Sequence, residues 1–89
     1  MQQRPVTIVN KLGLHARAAA KLVTTASGFA SLIEIEKNGQ KVNGKSIMGV
    51  MMLAASRGTR LVITANGKDE LEALDSLEKL VGARFGEQE

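Results

Sequence analysis

The chain lacks cysteine, tryptophan and tyrosine, and among its 89 residues it has one proline (Pro5), one histidine (His15) and two phenylalanines. Without cysteine there is no disulfide and no thiolate metal site, so the fold must hold by burial and hydrogen bonding, and thiol redox chemistry is excluded. A lone histidine with no acidic residue before Glu34 offers no local ligand set, so no metal and no cofactor is expected. No run approaches the roughly 18 apolar residues of a membrane span. The start, Met1-Gln2-Gln3-Arg4-Pro5, is not followed by an apolar secretory segment, so the expectation is a cytoplasmic protein without membrane insertion.

Acid is absent from two long stretches. From Met1 to Ile33 the only charges are Arg4, Lys11, Arg17 and Lys21, and from Lys37 to Lys68 there are six basic residues and no acid. Such segments suit an anionic ligand or an acidic partner surface, or serve solubility alone. A small basic nucleic-acid-binding domain is the alternative from another class. It is disfavoured because sheets that read RNA stack bases on aromatic rings, and Phe29 and Phe85 are the only ones here.

What is present fits one domain over residues 1–89 with one modest core, 44% of the residues being hydrophobic. Val6 to Asn10 reads as a first strand and the alanine-rich run from Ala16 to Val23 as a helix, stopped near Gly28. Ser31 to Lys37 alternates Ile33 and Ile35 with Glu34 and Glu36, and Asn38-Gly39 is a preferred hairpin turn into Gln40 to Asn43. Ser46 caps a short helix with Ile47, Val50, Met51 and Ala54 along one face, ended by Arg57-Gly58. Arg60 to Ala65 is the last strand. Asp69 and Glu72 form a capping box for a helix whose apolar face holds Leu71, Leu74, Leu77 and Val81, and Gly86 to Glu89 is expected to fray. The order βαββαβα gives an α+β fold, an open-faced two-layer sandwich with a four-stranded, mainly antiparallel sheet and three helices on one face.

Gly13-Leu14-His15-Ala16-Arg17 puts the only imidazole at the junction of a loop and a helix, where the amides of Ala16 and Arg17 are free and the helix dipole is positive. A phosphoryl group on His15 would find those amides and the Arg17 guanidinium. The same spacing suits an exposed histidine that merely begins a helix. Hydrolysis is disfavoured, because no carboxylate lies near His15 in the chain to orient it. Ser46, after Lys45 and at a helix start, is either an ordinary cap or a place where phosphate meets free amides and a basic neighbour. Met48, Met51 and Met52 cannot all face inward on one short helix, so at least one should be exposed as a soft apolar patch.

With these residues in view the chain resembles HPr, the histidine-containing phosphocarrier of the bacterial phosphoenolpyruvate-dependent sugar phosphotransferase system. The resemblance runs from about Val6 to Val81 and rests on two motifs, Asn10-Lys11-Leu12-Gly13-Leu14-His15-Ala16-Arg17 and Gly44-Lys45-Ser46-Ile47-Met48-Gly49-Val50-Met51. It implies that His15 takes a phosphoryl group on its backbone-proximal (pros) nitrogen from phospho-enzyme I and passes it to enzyme IIA domains. The chain would then act as a relay protein, not a conventional enzyme. Arg17 would neutralise the group, with the Ala16 and Arg17 amides completing its cradle. Ala20, Ile47, Met48 and Met51 would form the partner surface, Ser46 would be the substrate of an HPr kinase/phosphorylase, and a monomer would suit a shuttle.

One residue departs from the pattern. The family usually has proline after the arginine of the signature, and Ala18 stands there in this chain. Within the family the runner-up is the nitrogen-branch regulatory paralogue, which uses the same histidine; the Ser46-Ile47-Met48 segment favours the sugar branch. A regulatory homologue that works through serine alone is disfavoured by the presence of His15.

Overall fold

The structure, a computed structural model, describes residues 1–89. Strands β1 (Gln2–Thr7), β2 (Leu32–Lys37), β3 (Gln40–Asn43) and β4 (Arg60–Asn66) and helices α1 (Ala16–Ser27), α2 (Ile47–Met52) and α3 (Glu70–Gly82) follow in the order β1-α1-β2-β3-α2-β4-α3, and a single 3-10 turn spans Arg84–Gly86. The sheet order is β1-β4-β2-β3, and every neighbouring pair is antiparallel. This is the expected open sandwich with helices on one face. Alternation produces it: Leu61, Ile63 and Ala65 of β4 are fully buried and meet Ile33 and Ile35 of β2 in the core, while the residues between them stay partly or wholly exposed. The Asn38-Gly39 turn has positive φ at both residues (50° and 86°), the condition of a type I′ hairpin.

Ala18, Ala19, Leu22, Val23 and Ala26 form the buried stripe of α1, and the small alanines let the helix lie close to its neighbours α2 and α3. In α3 the buried residues are Ala73, Leu74, Leu77 and Val81, and Leu71 is exposed instead of joining them. At about 100° per residue, Ala73 to Leu74 bounds the inward arc and Leu71 falls about 60° outside it.

Four further expectations are corrected. The first strand begins at Gln2, because pairing along the seven-residue β4 depends on backbone and not on apolar alternation, so polar Gln2 to Arg4 join it. Pro5 is tolerated because β1 is an edge strand. The second helix ends at Met52; the chain must turn there, with Ala54 at φ 49°, to bring Leu53 and Ala55 into the core. Asp69 does not close a capping box with Glu72. Its carboxylate instead accepts from the amides of Ala30 (2.8 Å) and Ser31 (3.0 Å) and from Ser31 Oγ (2.5 Å), while Glu70 accepts from the Gly67 amide at 3.1 Å. Finally, Gly86 to Glu89 does not hang free: Phe85 is fully buried, and the segment after it folds back onto the start of α1.

Candidate functional site

Two close approaches place the loop before α1. Gly13 has φ 68°, and any Cβ there would sit 2.9 Å from Ser56 Cα, so the loop can lie against Ala55-Ser56 only because residue 13 is glycine. The Leu14 amide then donates to the Ala55 carbonyl at 2.9 Å. Asn10, fully buried, donates from Nδ2 to the Gly13 carbonyl at 2.9 Å and braces the loop from inside.

His15 is the residue before α1, extended at φ −70° and ψ 175°, and its carbonyl accepts the Ala19 amide at 2.9 Å. Its side chain makes no cap bond to the helix. The first-turn amides of Ala16, Arg17 and Ala18 precede the first intrahelical bond, so they are free to meet an anion. Arg17 is exposed and takes part in none of the ion pairs, leaving its guanidinium free.

The group that His15 does touch is one that local sequence patterning does not reveal. Nε2 of His15 is paired with Oε2 of Glu87, and Oε1 of Glu87 accepts from Asn10 Nδ2 at 3.0 Å. The assignment of the Asn10 amide follows from its two acceptors: the Gly13 carbonyl and the Glu87 carboxylate both require a donor, and Oδ1 is left buried without a partner. These contacts hold the Glu87 carboxyl below its usual range, the Asn10 hydrogen bond contributing most and the His15 bond next; Lys21 adds to it by charge. The expectation that no carboxylate lies near His15 is therefore overturned by a residue 72 positions away. Local periodicity cannot reveal such a contact. The one available signal was Phe85, a large apolar residue beyond the amphipathic run in a chain poor in aromatics, which marks an anchored segment instead of a frayed one.

Lys11, His15, Ala16, Arg17 and Glu87 together line an open cleft. Beside it α1 packs against α2, and α2 buries only Val50. Ile47, Met48, Met51 and Met52 are all exposed, Met48 by 76%, so the soft patch is larger than the one methionine that helical spacing demanded. Ala20 is half-buried. Ser46 caps α2, its Oγ accepting from the Gly49 amide at 3.1 Å. The basic neighbour does not face it: Lys45 Nζ donates to the Phe29 carbonyl at 2.7 Å. A group of histidine, cysteine and acidic side chains able to hold a metal is not formed.

A family model described as the PTS HPr component phosphorylation site matches residues 2–83. Phosphocarrier protein HPr of Cupriavidus necator is 54% identical over 89 residues, covering the whole of both chains. The crystal structure of HPr-C-His from Thermoanaerobacter tengcongensis superposes with a TM-score of 0.96 at 48% identity, again over the whole of both chains. A crystal structure of an HPr dimer from the same organism matches with a TM-score of 0.79 at 49% identity, covering 98% of this chain and all of that one. Sequence, fold and the setting of the one imidazole thus agree, and the chain belongs to the HPr family of phosphocarrier proteins of the phosphotransferase system.

Proposed function

We propose that this chain carries a phosphoryl group on Nδ1 of His15, taking it from enzyme I and giving it to enzyme IIA domains of sugar permeases. The observation that supports the reading best is the coincidence of the single imidazole, the free first-turn amides of Ala16 and Arg17 and the unpaired Arg17 guanidinium at one helix start. A phosphoryl group there meets oriented N–H dipoles and one unpaired cation, enough to stabilise it without holding it permanently. Ala20, Ile47, Met48 and Met51 serve as the apolar contact for both partners, and short-lived docking suits a relay.

Ser46 is, in this reading, a control point for an HPr kinase/phosphorylase. A phosphate on Oγ would sit beside the exposed Ile47 and Met51 and confront an acidic partner surface with like charge. The protein works in the cytoplasm and as a monomer, since one face must serve several partners in turn; the dimeric relative makes sedimentation the check on the second point. No helix is long and apolar enough to cross a membrane.

Incubation with phosphoenolpyruvate, magnesium and enzyme I, followed by intact mass before and after mild acid, tests the proposal. It expects one acid-labile phosphoryl group, absent from His15→Ala. A chain that gains no mass beside an enzyme I active on another HPr would overturn it.

A further inference from the structure

We infer that Glu87 is a positioning residue for phosphoryl acceptance: held by Asn10, its carboxylate fixes the proton of His15 on Nε2 and so leaves Nδ1 as the bare nucleophile. The inference rests on the phosphocarrier reading for the identity of the reaction, but its geometry is independent of it.

An imidazole can attack phosphorus only through a nitrogen that carries a lone pair, and in the neutral ring one of the two nitrogens holds the proton. A carboxylate has no proton to donate near neutral pH, so a nitrogen facing one is held as N–H. Glu87 faces Nε2, and Nδ1 of His15 has no partner within the chain. The ring is therefore presented in the tautomer whose lone pair lies on the side of its own backbone, from which α1 begins.

The rest of the segment supports this placement. Arg84, Phe85 and Gly86 all have positive φ (60°, 54° and 79°), and the first two pay the steric cost that a side chain meets in that region. Such a run persists only when its surroundings fix it. Phe85 is fully buried, and its carbonyl accepts Lys21 Nζ at 2.6 Å, which pins the left-handed turn to α1. Glu87 follows directly and reaches both Asn10 and His15. Asn10 in turn braces the Gly13 carbonyl two residues before the histidine, so one buried side chain sets both the loop that carries His15 and the carboxylate that orients it.

In the transfer step Nδ1 forms a bond to phosphorus, and the donor's bond to phosphorus breaks with its electron pair staying on the donor. The proton remains on Nε2. The phosphorylated ring then carries a positive charge, and the Glu87 carboxylate already faces it, so the charge created by transfer is stabilised without any movement of protein.

Two substitutions separate positioning from simple structural support. Glu87→Ala removes the acceptor and lets both tautomers form. Glu87→Gln keeps the shape and can keep the Asn10 bond through its oxygen, but turns an amide donor toward Nε2 and so drives the proton to Nδ1. Acceptance from phospho-enzyme I should slow a few-fold in Glu87→Ala and by about tenfold or more in Glu87→Gln, an effect of the size produced by misplacing a reacting group. Nitrogen chemical shifts of labelled His15 at alkaline pH should place the proton on Nε2 in the wild type and on Nδ1 in Glu87→Gln. A structural role alone predicts the reverse order of rates, with glutamine the milder change. Equal rates for wild type and Glu87→Gln, or a wild-type proton on Nδ1, would overturn the inference. A wild type that accepts no phosphoryl group would instead sink the carrier reading, while the chemical shifts still report on the tautomer.

Discussion

Asn10 and Glu87 lie at opposite ends of the chain and are joined by a hydrogen bond of 3.0 Å, the asparagine wholly buried and the glutamate closing over the only histidine. That relationship has consequences for stability as well as chemistry, because a buried amide nitrogen and an imidazole both favour the charged form of the carboxyl. The Glu87 carboxyl is lowered relative to its ordinary value, by Asn10 first and His15 second. A group whose folded pKa is depressed adds stability above its unfolded pKa and loses it as pH falls through the folded one.

The first prediction follows. Denaturant unfolding of wild type and Glu87→Gln should differ most near neutral pH, and the gap should close as pH falls below the usual carboxylate range. Lys21 also faces this carboxyl by charge, so Lys21→Met should narrow the same gap slightly. A gap constant from pH 7 to acid would mean that the ionised carboxylate contributes nothing to folding.

Asp69 gives the second. Its carboxyl is likewise lowered, chiefly by the Ser31 hydroxyl and then by the Ala30 amide, and Ser31 is fully buried. Asp69→Ala would leave the Ser31 hydroxyl and amide without their acceptor, a costlier loss than an exposed cap. Thermal unfolding should therefore place the midpoint of Asp69→Ala well below that of Glu72→Ala. Equal midpoints would mean that the Asp69 contacts to Ala30 and Ser31 contribute no more to stability than the exposed Glu72 does.

These two cases show where the sequence is legible. Alternation in Ile33 to Glu36 and in Leu61 to Ala65, the Asn38-Gly39 turn and the Ser46 cap are set by neighbours along the chain, and the structure repeats each of them. The setting of His15 at a helix start is local too. Glu87 on His15 and Asp69 on Ser31 join residues 72 and 38 positions apart, and their side chains obey no period. Leu71 failed for a different reason: its spacing fits a helix, but the arc that faces the sheet is decided by packing against β1 and β4.

Ala18 gives the third. It is the third residue of α1, its amide precedes the first intrahelical bond, and its side chain is fully buried. Proline there would give up no intrahelical bond and would fix φ near the helical value, although its ring must fit where only a methyl group is packed. Ala18→Pro should change the rate of phosphoryl acceptance at most a few-fold. A protein many-fold faster with the same enzyme I would show that alanine loosens the helix start enough to limit transfer.

Ser46 allows stability and docking to be separated, and this is the fourth prediction. Its hydroxyl accepts the Gly49 amide, so Ser46→Ala should cost about 1 kcal/mol as a lost cap. For a domain of this size that is a fall of roughly 4–8 °C in the unfolding midpoint. Ser46→Asp keeps a capping oxygen and places negative charge at a helix start, so its stability should match the wild type. Transfer should show the opposite pattern. Ser46→Ala leaves the Ile47 and Met51 surface uncharged and should accept phosphoryl from enzyme I at the wild-type rate, whereas Ser46→Asp puts charge beside that surface and should be slowed through weaker docking, seen as a raised KM. Calorimetry with steady-state transfer on the two variants checks both halves. If Ser46→Asp transfers as fast as wild type, charge at this position does not govern docking, and the serine is a helix cap and nothing more.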